Sequence, residues 1–176
     1  LINDMKSAKD HPGQPKLVVS NNTKADGLVF AEKNSIETFS FDIEKKEDNL
    51  IFEETTLQVL KEKNIDIICL AGFMKILSEK FIKSFSKPIL NIHPSLLPSF
   101  KGLNTHKRVL KAGCLIHGAT VHQITNKVDE GPILGQTLID ITKNSTAKQL
   151  EEKLLPHEHL LYKQVLREFL KESGKK

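Results

Sequence analysis

Asn91 and His93 stand two apart in the stretch "LNIHPSLLPSFKG", which runs from Leu90 to Gly102. On a strand they point to one face, while Leu90 and Ile92 point to the other. An imidazole takes and gives protons near neutral pH. A side-chain amide donates a hydrogen bond to an oxygen that gains negative charge. Together the two suit acyl transfer. They also fit a loop cap and a histidine on a sheet rim, and strand geometry alone does not choose. Asp129, in "VDEGPIL", poses the same choice. It is either a carboxylate that polarises His93 and steadies its cation, or a turn former in a tight link. No spacing rule connects positions 93 and 129.

Other reactive side chains point less clearly to chemistry. His106, His117 and His122 could be gathered with His93 around zinc, but their spacings match no ordinary zinc pattern, and no metal is expected. His157 and His159 straddle Glu158, and an i, i+2 pair on a helix faces different directions. Cys69 lies in the apolar run "IDIICLAGF", which predicts a packing role. Cys114 follows Gly113 in a turn. Neither cysteine has a CxxC partner, so a reduced, cytoplasmic setting is expected.

Ligands of open parallel sheets sit beyond the carboxyl ends of the strands, so Asn91 and His93 require "PILNIH" (88–93) to be such a strand. The surrounding pattern supplies the sheet. "KLVVSN" (16–21), "TFSF" (38–41) and "DIICLAG" (66–72) read as further strands. Between them, "ADGLVFAEKN", "DNLIFEETTLQVLKEKN" and "SEKFIKSF" have helical spacing, the middle one through Leu50, Leu57 and Leu60. This alternation predicts an α/β fold: a Rossmann-like, mainly parallel sheet with helices on both faces. After a polar loop, a helix is expected from about Thr105 to Ala112. "HGATVHQIT" and "PILGQTLIDI" then form an antiparallel strand pair, because their link is short. "NSTAKQL" opens a C-terminal helical segment with an Asn/Ser/Thr cap. Its inner stripe runs through Ala147, Leu150, Leu154, Leu161, Val165 and Phe169, and Pro156 should kink the helix or begin a second one.

A chain of 176 residues accommodates one domain with a real core. The net charge is +4, carried mostly by scattered lysines; Arg108 and Arg167 are the only arginines, and Trp is absent. Nothing resembles the concentrated basic stripe of a nucleic-acid binder. No apolar run is long enough to span a membrane, and the first residues lack a secretory pattern. A mild positive field suits a small anionic substrate.

At these residues the sequence resembles a known family. "AGFMKIL" (71–77), "LNIHPSLLPSFKGLNTHKRVLKAG" (90–113), "HGATVHQIT" (117–125) and "VDEGPIL" are similar to the phosphoribosylglycinamide formyltransferases of purine synthesis. The resemblance implies transfer of a formyl group from 10-formyltetrahydrofolate, a co-substrate, to the amine of glycinamide ribonucleotide. It implies that Asn91, His93 and Asp129 are the catalytic trio. Asn91 and protonated His93 would stabilise the oxyanion. Asp129 would support His93 and help move a proton. It assigns the folate pocket to Met74, Lys75, Ile76 and Leu77, and to Thr125, Asn126, Lys127 and Val128 beside Asn91 and Asp129. It makes "SFKGLNTHKR" a mobile loop and gives Glu158 a contact with the glycinamide substrate. The implied partners are these small molecules, with a monomer or homodimer as the protein's state.

The family's pattern is met incompletely. It begins with a strand and a Gly-rich "GxGSNL" loop that holds the ribonucleotide phosphate, whereas this sequence opens as a helix body followed by a strand. An N-terminal piece preceding Leu1 is therefore expected, with residues 1–176 as a single formyltransferase domain. The family's Arg for the folate glutamate tail has no counterpart, and Lys45 or Lys46 is the available substitute. Formyltetrahydrofolate deformylases typically carry "HHSFLP" where this chain has "HPSLLP". Methionyl-tRNA formyltransferases continue "RGxxP" where it has "KGLNTH". A non-catalytic folate or nucleotide binder would not need the trio.

Overall fold

The computed structural model describes residues 1–43, 45 and 48–174, so that Lys46 and Lys175 lie outside it. The chain divides into two compact units: Ile2–Asp66 with Leu77–Lys87, and Ile67–Ile76 with Pro88–Lys176 and Leu1.

The first unit contains α1 (Ile2–Ser7), β1 (Leu17–Ser20), α2 (Asp26–Lys33), β2 (Glu37–Ser40), α3 (Asp48–Glu62) and α4 (Glu79–Phe85). β1 and β2 pair in parallel, from Leu17 opposite Glu37 to Ser20 opposite Ser40, with α2 as the crossover that a parallel pair requires. Phe52, Thr56 and Leu60 share the buried face of α3, with Glu53 beside them. The expected stripe through Leu50, Leu57 and Leu60 is thus turned: Leu50 is 59% exposed and Leu57 half-buried. Burying the large Phe52 ring sets the face, because an aromatic side chain removes more apolar area from water than one leucine. The Glu53 carboxylate accepts hydrogen bonds from the Ser78 N–H at 2.8 Å and from the Ser78 hydroxyl. The Ser78 oxygen in turn accepts from the Phe81 N–H at 3.0 Å and caps α4.

The second unit is built on β3 (Ile68–Leu70), β4 (Ile89–His93), β5 (Ile116–Gln123) and β6 (Ile133–Asp140), in that spatial order, with α5 (Thr105–Lys111) and α6 (Ala147–Ser173). β3 and β4 are parallel, as the pattern predicts. The β5–β6 pair is antiparallel, also as expected. β4 and β5 are antiparallel too, which the pattern did not foretell. The loop and α5 return the chain with its direction reversed, so Asn91 faces His122 and His93 faces Thr120.

The α6 cap is a capping box: the Thr146 oxygen accepts from the Gln149 N–H while the Gln149 side chain accepts from the Thr146 N–H. One helix runs through Pro156, so no second helix begins there. Leu150, Leu154, Leu161 and Val165 are buried as expected, and Tyr162 and Leu166 join them, while Ala147 and Phe169 are half-buried. Burial on both sides of the proline offsets the lost hydrogen bond. The Tyr162 hydroxyl donates to the Leu90 carbonyl at 2.9 Å, tying α6 to the strand that carries Asn91 and His93. Ala119, Ile139, Leu150 and Leu154 form a core cluster, with Ile92 and Leu110 against it.

Candidate active site

β4 presents Asn91 and His93 on one face, and β5 adds His122 and Thr120 directly opposite them. The Asn91 amide donates from Nδ2 to His122 Nε2 at 3.2 Å. His122 must therefore be neutral there, since an amide N–H needs an acceptor. Burial holds the His122 pKa below its ordinary value, against the pull of nearby Asp129. Thr120 organises the turn after His93. Its oxygen accepts from the Leu97 N–H at 3.0 Å and from Gln136 Nε2 at 2.9 Å, and its hydroxyl donates to the Ser95 carbonyl at 2.7 Å.

Asp129 sits in the β5–β6 link with a left-handed backbone, φ 54°. Its carboxylate turns back over the face that carries the histidines. One oxygen lies 3.5 Å from His93 Nδ1, and the other lies 3.8 Å from His122 Nε2. The Gly102 N–H donates to it at 2.8 Å. His93 Nε2 faces the Phe100 carbonyl at 3.2 Å. A carbonyl only accepts, so Nε2 carries a hydrogen and Nδ1 is left for Asp129. Both nitrogens thus face oxygen acceptors, and the imidazolium is the form that can donate to both. His93 and His122 are buried and the Asp129 side chain is 9% exposed, which strengthens the charge interactions among them. A cleft of about 360 Å³ opens against Asp129 and is lined by Leu97, Pro98, Lys101, Glu130, Gly131 and Ile133. An amide donor, an imidazole and a carboxylate converge beside an opening, as stabilisation of an oxyanion with proton movement requires.

Residues 1–166 match the profile of the family described as "Formyl transferase". The chain belongs to the formyl transferase family. It is similar to the phosphoribosylglycinamide formyltransferase of Haemophilus influenzae, 38% identical over 160 residues, which cover 91% of this chain and 76% of that protein. It is also 44% identical over 143 residues to the chicken (Gallus gallus) trifunctional purine biosynthetic protein adenosine-3. That match covers 81% of this chain and 14% of the chicken protein, so the chain spans about one seventh of that relative. Among solved structures, phosphoribosylglycinamide formyltransferase from Brucella melitensis superimposes with a TM-score of 0.87 at 42% identity, covering 97% of this chain and 87% of that one.

In this formyl transferase the other expected site residues fall in both units. Met74, Lys75 and Ile76 belong to the unit that carries the trio, and Leu77 to the other unit. Met74 and Ile76 are 72% and 75% exposed, and Val128 is also exposed. Thr125, Asn126 and Lys127 open the link that carries Asp129, where the Lys127 N–H donates to the Thr125 hydroxyl at 3.3 Å. Glu158 is half-buried on α6, where burial and then the negative Glu151 raise its pKa. Of the four histidines that might have met a metal, His106 and His117 pair with each other at 2.9 Å, while His93 and His122 flank Asp129. Among the described residues no group of three or more His, Cys, Asp or Glu is disposed to hold a metal ion. Burial pushes the Cys69 thiol up to about 11, as fits an inert packing residue. Among the described residues no helix is long and apolar enough to cross a membrane.

Sequence reasoning missed Thr120, Gln136 and Phe100; it weighed Gly102 only as a hinge of the mobile loop and His122 only as a metal ligand. The alternation in "HGATVHQIT" does place Thr120 and His122 on one strand face. Nothing local says that this face meets Asn91 and His93.

Proposed function

We propose that this formyl transferase moves the formyl group of 10-formyltetrahydrofolate onto the amine of 5′-phosphoribosylglycinamide, giving formylglycinamide ribonucleotide and tetrahydrofolate in purine biosynthesis. The observation that carries the reading is the convergence of Asn91, His93 and Asp129, in a chain whose named relatives bear that activity. Addition of an amine to a formyl carbon puts negative charge on the formyl oxygen. His122 accepts one Asn91 N–H and orients the amide, so the other N–H is available to that oxygen. His93, as the imidazolium, donates from Nε2 to the same oxygen once the formyl group takes the place of the Phe100 carbonyl there, while Nδ1 stays on Asp129. Asp129 balances the His93 charge and helps carry a proton from the attacking amine to the leaving nitrogen. One oxyanion donor of this kind is worth about 10²–10³ in rate.

The folate co-substrate supplies the formyl group when bound. The exposed apolar side chains of Met74, Ile76 and Val128 suit a flat pterin-like ring, and a cleft of about 360 Å³ at Asp129 is of ligand-pocket size. We assign folate binding to Met74–Leu77, Asn91 and Thr125–Asp129, and a substrate contact to Glu158. Residues 1–176 are taken as one formyltransferase domain that acts in the cytoplasm on small molecules, without a metal, as a monomer or homodimer.

The test is formyl transfer by the purified protein with glycinamide ribonucleotide, water and initiator tRNA offered as acceptors, read by product mass. Formylglycinamide ribonucleotide is expected. Transfer to water or tRNA alone overturns the proposal.

A further inference from the structure

The segment Phe100–Gly102 touches both members of the catalytic pair through its main chain. The Phe100 carbonyl faces His93 Nε2, and the Gly102 N–H holds an Asp129 oxygen. Neither contact depends on the identity of a side chain, so something else must fix where this segment lies. Phe100 has φ 55° and Gly102 φ 79°. A bulky non-glycine residue in the left-handed region is strained and persists only when its surroundings hold it.

Arg108, on α5, supplies that hold. Its guanidinium donates from Nη1 to the carbonyls of Lys101 and, at 3.4 Å, Leu103, one on each side of Gly102. The same group lies over the Phe100 ring, 5.7 Å from its centroid. A planar, permanently charged fork can bridge two carbonyls and stack on a ring at once, which a lysine ammonium cannot. Lys101 also pairs with Glu130, the neighbour of Asp129, at 2.7 Å. One exposed side chain therefore grips the segment at three points, next to the two main-chain groups that orient His93 and Asp129.

We propose that Arg108 is a positioning residue: it pins Phe100–Gly102 so that the Phe100 carbonyl stays at His93 Nε2 in the ligand-free protein and the Gly102 N–H keeps Asp129 aimed at His93 Nδ1. This rests on the formyl-transfer reading above, and its test carries one readout that does not need activity. Arg108→Gln, Arg108→Lys and, as a control on the same helix, Lys107→Gln are compared with the wild type. The first readout is kcat and KM for formyl transfer. The second is the nitrogen NMR signature of the His93 ring in the ligand-free protein, assigned with His93→Gln.

Arg108→Gln should lower kcat about 10- to 100-fold, as misplacement by about 1 Å does. KM should change far less, and the melting temperature should stay near wild type because the side chain is exposed. The His93 nitrogen shifts should move, because the ring loses the fixed acceptors that the Phe100 carbonyl and Asp129 give its two N–H groups. Arg108→Lys should rescue little, and Lys107→Gln should match the wild type. An unchanged kcat or an unchanged His93 signal in Arg108→Gln overturns the proposal. A wild type that forms no formylglycinamide ribonucleotide, together with a His93 signal that shifts in Arg108→Gln, sinks the functional reading and leaves the positioning role standing.

Discussion

Asp129 joins a left-handed backbone to a carboxylate that faces two imidazoles. Its φ of 54° is one that Asp and Asn tolerate better than other residues with a Cβ. The turn and the proposed catalytic role of this aspartate are therefore compatible: the left-handed turn is what brings the carboxylate back to His93 and His122. Asp129→Asn keeps the size and the backbone preference and removes the charge. It should leave the melting temperature within about 2 °C of wild type. It should reduce kcat by about 10²–10⁴, the range for a lost proton-transfer group. Thermal denaturation and steady-state kinetics on one preparation check both halves, and full activity would mean that another carboxylate does the work.

At the scale of elements, the β5–β6 link must place that turn. Gly131 lies two residues beyond Asp129, where a Cβ would stand 1.6 Å from the Gln123 carbonyl oxygen and 3.3 Å from Thr125 Cγ2. The Gln123 N–H also donates to the Pro132 carbonyl at 2.9 Å, closing the base of the link. Gly131→Ala must move main chain rather than a flexible side chain. It should cost about 1–3 kcal/mol or more, the range for overpacking. Activity should fall further than stability, because a shift of about 1 Å at Asp129 is enough for about a 10²-fold loss. Urea unfolding and kcat report the two losses separately, and wild-type kcat in this variant would count against the close approach. The strand pair itself was legible from its short link and alternating pattern. The antiparallel docking of β5 on β4 was not, because direction is decided by where the loop and α5 deliver the chain.

At the scale of the whole molecule, acid stability reports the buried histidines. His117 is pushed down to about 4, chiefly by burial and then by His106 and His93. His106 and His122 are lowered as well, both mainly by burial. Below about pH 6.5 the unfolded chain takes up protons that the native His117 refuses. Stability is thus complete above that pH and is lost as pH falls towards 4, by at most about 3 kcal/mol for this one residue at about 1.4 kcal/mol per unit. Urea unfolding between pH 7.5 and 4.5 should show this slope, and His117→Gln should flatten it. Equal slopes in the two proteins would show that His117 accepts its proton while folded.

Taken by itself, the sequence determined the α/β alternation, the strand that aims Asn91 and His93 at one face, the Thr146 cap and the family resemblance. These follow from local rules of periodicity, capping and motif spacing, which act within a few residues. Tertiary structure decided that Asp129 reaches His93 across the sheet, that His122 orients Asn91, and that Arg108 grips the segment which aims the pair. It also turned α3 onto Phe52 and carried α6 through Pro156. Each of these depends on contacts between residues far apart in the chain, set by strand direction, close packing and the need of buried polar groups for partners, and none leaves a mark on local spacing.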